Sequence, residues 1–204
     1  MSKERGMIFN DEMVRAIFEG RKTQTRRLVS SSTSDLLDLQ KQYPHKKYNI
    51  VCPFGQPGDR LWVRETFQGP LVSEELFEEY RAYPEKFEKP EYCEYAADGG
   101  AKPEYCDLDD NLRHGWRPSI HMPRWASRIL LEITDVRVER LHDISEEDAK
   151  AEGATPATYR ITPPGAVYRV GFGDIWRSIY GDENWHSNPW VWVIEFKRVE
   201  GGAA

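Results

Sequence analysis

The sequence predicts an α+β protein: a small mixed β-barrel with short flanking helices and one acidic insertion. Three observations carry this. The strand signals "GMIF", "GDRLWVRETF", "RILLEITDVRVERL" and "NPWVWVIEFKRV" lie far apart along the chain. Short helical patterns separate them, without the regular strand–helix alternation of a doubly wound parallel sheet. Acidic residues concentrate in one Pro- and Gly-rich interval, residues 69–115, that interrupts the strand pattern. With 204 residues, 39% of them hydrophobic and 12% aromatic, the chain can bury one good core. A single domain over 1–204, interrupted by the insertion at about 69–115, is therefore expected.

"GMIF" opens as a strand. A helix follows in "NDEMVRAIFEG", because Met13 and Ile17, and Val14 and Phe18, stand four apart and share one face. Asn10 or Asp11 caps its start, and Gly20, at ease in the left-handed conformation, ends it. The next residues, "RKTQTRR", read as a post-helix loop, since no apolar side chain occurs among them. "SSSTSD" reads as a mobile stretch, and "GQPGDRLWVRETF" as a Pro-Gly turn running into a strand. Within 69–115, "SEELFEEYRAY" has helical amphipathy and "EYCEYAA" suits a hairpin strand, while Pro84, Pro90 and Pro103 exclude a long central strand. "RILLEITDVRVERL" is the best strand signal, with Val136 and Val138 alternating against Arg137 and Glu139. In "DISEEDAKAEGA" Ser145 takes the N-cap, Asp148 the capping-box position, acids fill the first turn and Gly153 terminates the helix. "GFGDIWRSIYG" is a third helix, offering Ile175, Trp176 and Ile179 to the core. "NPWVWVIEFKRV" is apolar on both faces, which implies a central strand.

No stretch approaches the roughly 18 uninterrupted apolar residues of a membrane span, and "MSKERGMIFN" lacks the apolar region of a secretory signal. Cys52, Cys93 and Cys106 are odd in number and sparse, which argues against a disulfide framework. A cytoplasmic protein with no membrane partner is expected. The net charge of −6 would weigh against nucleic acid, but residues 69–115 carry 13 acids against 5 Lys or Arg, so the remainder, 23 cations against 21 acids, is mildly basic. An acidic interval of this kind is a solvated flap or a dock for a partner protein, and the flap is the plainer reading.

Four cations in residues 21–27 exceed what complementing a helix dipole requires, and contact with phosphate or a nucleobase is the natural remaining use. Lys22 and Thr25 stand three apart between Arg21, Arg26 and Arg27. A threonine nucleophile needs a base, and a lysine serves only when neutral, its pKa drawn from about 10.4 toward about 7 to 8. Glu152 occupies the last turn of its helix, where the dipole disfavours it. Glu65 is a rival carboxylate on a strand; its plain reading is an outward-facing partner for a neighbouring arginine. "GWRPSIHMPRWASR" interleaves Trp116, His121 and Trp125 with Arg117, Arg124 and Arg128, a composition that can stack on bases and hold phosphates or can pack beneath a loop. The spacings of Cys93, Cys106, His114 and His121 match no zinc arrangement, so neither metal nor cofactor is expected.

Taken in order, "GRKTQTRR", "PGDRLWVRETF", "SEEDAKAEG" and "WVWVIEF" resemble an ASCH domain, a branch of the PUA-like barrels, and "PSIHMPRWASRI" resembles its phage and prophage subgroup. The resemblance spans both ends of the chain and omits 69–115. It implies a small barrel that binds RNA or a modified nucleoside or nucleotide in a cationic cleft beside the first helix. It also implies the chemistry of the family's N(4)-acetylcytidine amidohydrolases: Thr25 as nucleophile, Lys22 as its base and Glu152 as third member. Arg21, Arg26, Arg27, Glu65, His121, Arg124 and Trp125 would then contact substrate or nucleic acid. A non-catalytic RNA- or nucleotide-binding module, or a ribonuclease, is the alternative.

Overall fold

The computed structural model describes residues 2–107, 111–159, 161–163 and 165–199. Along the chain run β1 (Glu4–Ile8), α1 (Asp11–Phe18), β2 (Gln24–Leu28), α2 (Ser31–Gln42), β3 (Arg60–Arg64), β4 (Phe67–Gln68), α3 (Phe77–Ala82), β5 (Glu94–Tyr95), β6 (Glu104–Cys106), β7 (Leu112–His114), β8 (Leu130–Arg140), α4 (Glu146–Ala151), α5 (Val167–Tyr180), α6 (Asp182–His186) and β9 (Trp190–Arg198). Five strands form one sheet in the order β1-β3-β8-β9-β2, and two strand pairs, β4-β5 and β6-β7, stand apart from it. The architecture is the mixed α+β one expected. The chain divides into two compact units, residues 1–18, 60–132 and 198–204, and residues 19–59 and 133–197.

In the first unit β1 runs parallel to β3, and β3 pairs antiparallel with the opening residues of β8. Asn10 caps α1 by accepting from the Met13 N–H at 2.9 Å, and Val14, Ala16 and Ile17 are buried. Phe18, on the same helical face, is 41% exposed, with the guanidinium groups of Arg128 and Arg198 over its ring at 4.8 and 5.7 Å. The acidic interval folds into short pieces. β5 pairs with β4 rather than forming a hairpin within its own segment, because Phe67 and Tyr95 pack together with Met122 and Ala126; the hairpin is β6-β7.

In the second unit β9 is central, flanked by β8 and β2. Its Val191 and Val193 join Leu141, Ile144, Ala149, Phe172 and Trp176 in a core beneath α4 and α5. Ile179 lies outside it, 43% exposed. Two further expectations are corrected here. "SSSTSD" is not a mobile stretch but the start of α2, where the Ser30 hydroxyl accepts from the Thr33 N–H and Leu37 is buried. The cationic segment after Gly20 is not a loop: Gly20 does turn the chain at φ 72°, but the following residues enter β2 and pair with β9, Thr25 opposite Ile194 and Arg26 opposite Val193. A strand in the sheet takes burial from its neighbours, so polar side chains are carried inward with it.

Candidate functional site

The segment from Lys22 to Leu28 is held extended on both sides. Lys22 bridges to Glu152, the Thr23 N–H donates to the Ala151 carbonyl at 2.8 Å, and the Thr23 carbonyl accepts from the Phe196 N–H at 2.8 Å. Extended backbone alternates its side chains between two faces. Lys22, Gln24 and Arg26 therefore share the face toward α4, and Thr25 and Arg27 take the other.

Ser145 caps α4 by accepting from the Asp148 N–H at 2.9 Å, and Gly153, at φ 81°, lets the chain leave it. Glu152 is the C-cap. Lys22 Nζ donates to the Glu152 carboxylate at 2.7 Å and to its backbone carbonyl at 2.9 Å, so one ammonium both pairs the acid and closes the helix end. Arg26 Nη1 donates to the other carboxylate oxygen at 3.0 Å. The same guanidinium reaches Glu139 at 2.5 Å and Asp148 at 3.4 Å. Gln24 donates to the Asp148 carbonyl at 2.8 Å. Arg137 extends the network to Glu139, Asp148 and Glu195.

Three cations thus meet four carboxylates, and the centre of the network is dry: Lys22 is 2% exposed, Arg26 3% and Glu152 7%. Burial lowers the Lys22 pKa; Glu152 opposes this, and Arg27 and Arg26 add to it. For Asp148 burial acts upward, but Arg26, the Gln24 hydrogen bond and Arg137 outweigh it and hold the carboxyl below its ordinary value. Thr25 is buried at 1% exposure, and no hydrogen bond joins it to Lys22 among the described residues. Arg27 is half-buried on the Thr25 face. Arg21 is exposed, donating to Glu19 at 2.6 Å and to the Gly153 carbonyl at 3.0 Å.

The remaining candidates lie in the first unit. Glu65 follows Leu61 and Val63 on the inward face of the β3 segment and is 0% exposed, not outward-facing. Arg128 grips its two oxygens at 3.0 and 2.9 Å, grips Asp98 twice at 2.7 Å and lies 3.8 Å from the Tyr95 ring centroid. Burial raises the Glu65 pKa, with Arg128 opposing. Trp125 is half-buried against the Phe67–Tyr95 cluster. Arg124 donates to Glu4 at 3.2 Å. Both line a cavity of about 950 Å³ with Lys89, Glu88 and Glu91. His121 is exposed at the end of a 3₁₀ turn.

The structure therefore joins Lys22, Arg26 and Glu152 in one unit and Arg124 with Trp125 in the other, and engages Glu65 with Arg128. Sequence reasoning missed Asp148 and Glu139 as partners of Arg26 and Arg137 as the second cation on those two acids, although the alternation of Arg137 and Glu139 along β8 is visible in the sequence. Among the described residues no group of three His, Cys, Asp or Glu side chains could hold a metal ion, and no helix is long and apolar enough to cross a membrane.

No protein-family model matches the chain, and no curated protein does. Among solved structures, an ASCH domain from Lactobacillus crispatus JV V101 is similar at a TM-score of 0.42 and 11% identity, over 96% of this chain and 79% of that one. Protein EF3133 from Enterococcus faecalis V583 is similar at a TM-score of 0.38 and 12% identity, over 98% and 77%.

Proposed function

We propose that the protein is a cytoplasmic module that binds RNA or a modified nucleoside or nucleotide without transforming it. The base lies against Trp125 and the phosphate at Arg124. The reading carries with it the small ASCH-type barrel and a single domain interrupted at about 69–115. The supporting observation is the cavity of about 950 Å³ that Trp125 and Arg124 line together, at the upper end of the roughly 300–1,000 Å³ of small-molecule sites. An indole stacked on a base is worth about 1–3 kcal/mol. The Arg124–Glu4 pair is solvent-exposed, with a net value of about 0–1 kcal/mol, so an incoming phosphate can displace it. Calorimetric titration with a short single-stranded RNA and with cytidine monophosphate tests the reading. Trp125→Ala and Arg124→Ala should each weaken binding, and affinity should fall as salt rises; an affinity indifferent to salt and to both substitutions overturns it.

One observation favours a second reading, hydrolysis of an N-acylated cytosine nucleoside. Burial lowers the Lys22 pKa, as a lysine base requires. Two features weigh against it. Lys22 Nζ is directed at Glu152 through two bonds, and Thr25 occupies the opposite face of the extended segment. Release of acetate from N(4)-acetylcytidine by the wild-type protein, lost in Thr25→Ala, would establish this second reading in place of the first.

A further inference from the structure

A cavity in the second unit is not used by either reading. It has about 410 Å³ and lies between α5, α6 and the turn that follows β8, with His142, Arg169, Gly173, Arg177 and Trp185 on its wall. Four features of it belong together. His142 Nε2 is a buried ring nitrogen with no hydrogen-bond partner among the described residues, and such a nitrogen is costly to leave unmet. The ring is held in place by Trp185, 4.6 Å between centroids. Arg169 is exposed and spends one donor on the His142 carbonyl at 3.3 Å; no carboxylate pairs with its guanidinium among the described residues, which leaves most of its five donors available. Arg177 lies over the Trp185 ring at 4.7 Å and holds Asp174 and Asp182 at 3.3 Å each, both acids well exposed and therefore screened.

Two further acids lie close in the chain to the wall, Asp143, exposed between His142 and Ile144, and Glu146. The Glu146 carboxylate is spent on the Tyr168 and Arg169 backbone N–H groups at 2.7 and 3.0 Å, where it caps α5. The space is kept open by Gly173, where a Cβ would stand 3.2 Å from Arg177 Nη1 and from the Trp185 ring. Two guanidinium groups around a cavity large enough for a mononucleotide complement a compact dianion.

We infer that this cavity is a binding site for a small dianionic oxyanion, a phosphate monoester by preference, held between Arg169 and Arg177 with the His142 ring on its wall. The site is independent of the Trp125 cavity and of Lys22. It is tested on the full chain by nuclear magnetic resonance titration that follows the His142 ring and the Arg169 guanidinium, with calorimetry for affinity. Inorganic phosphate, cytidine 5′-monophosphate, succinate and unphosphorylated cytidine are the probes. Phosphate and the monophosphate should bind and shift the His142 ring signals, succinate should bind more weakly, and cytidine should leave those signals unmoved. Arg169→Gln, at an exposed position, should weaken phosphate about tenfold or more. Gly173→Ala should do the same by occupying the cavity, with the thermal midpoint recorded alongside. Should Gly173→Ala fail to fold, Arg169→Gln decides. The inference is overturned if no anion shifts His142, if cytidine shifts it as strongly as its monophosphate, if succinate binds as tightly as phosphate, or if Arg169→Gln leaves the affinity unchanged.

Discussion

Two cationic segments look alike in the sequence and differ in the structure. Residues 21–27 concentrate Lys and Arg, residues 117–128 concentrate Arg, and both invite a reading as phosphate contacts. In the first, Lys22 and Arg26 are dry and fully engaged by acids. In the second, Arg124 stays at the surface beside Trp125 and a cavity, while Arg128 turns inward to Glu65. Charge density is thus a poor guide to exposure. Backbone conformation decides, because an extended segment inside a sheet sends every second side chain inward whatever its chemistry. Where that side chain is charged, the fold must supply counter-charges, and α4 with β8 supplies them for Arg26.

The largest effect that tests this contrast is on stability. Arg26→Met leaves the buried Glu152 with Lys22 alone and strips Glu139 and Asp148 of a shared partner, which should cost about 3–5 kcal/mol in chemical denaturation. Arg128→Met orphans Glu65, itself 0% exposed, but Arg128 is partly at the surface. About 2–4 kcal/mol is expected there. Arg124→Met breaks only an exposed pair and should cost under about 1 kcal/mol. If Arg26→Met proved as mild as Arg124→Met, the two segments would not differ in the way described.

Much of the fold was legible because periodic apolar patterns and caps are local. Ser145, Gly20 and Gly153 stand where those signals put them, and the doubly apolar "WVWVIEF" forms β9, an interior strand between β8 and β2. What was not legible was any element whose inward face is polar. β2, "QTRRL", has no hydrophobic alternation, since its inward residues are Gln24 and Arg26, and its place in the sheet comes from β9 and α4 far along the chain. Glu65 could have been found. Leu61, Val63, Glu65 and Phe67 form one period-two series in which the carboxylate falls among core residues, and a buried acid demands an arginine such as Arg128. The network around Arg26 had no such signal, because Asp148 and Glu139 come from a helix cap and a strand with no shared local pattern.

Smaller effects sharpen the contrast at Lys22 and Thr25, neighbours assigned to opposite faces. Burial holds the Lys22 pKa below that of the unfolded chain, so the native protein releases this proton first. Its contribution to stability is complete above the unfolded lysine value of about 10.4 and is lost as pH falls through the lowered native value. In the difference between wild type and Lys22→Met, followed as thermal midpoint against pH, that alkaline gain should be present only in the wild type; parallel curves would place Lys22 in ordinary ionisation. Thr25→Val should change least. The substitution keeps the shape of a buried side chain and removes a hydroxyl that has no bond to Lys22. A cost of about 1 kcal/mol or less is expected, with unaltered binding of cytidine monophosphate. A larger loss would show that the hydroxyl faces a partner, and loss of acetate release from N(4)-acetylcytidine would identify that partner as substrate. In that event the two faces of the Lys22 to Leu28 segment would serve one reaction rather than a polar anchor and a packing surface.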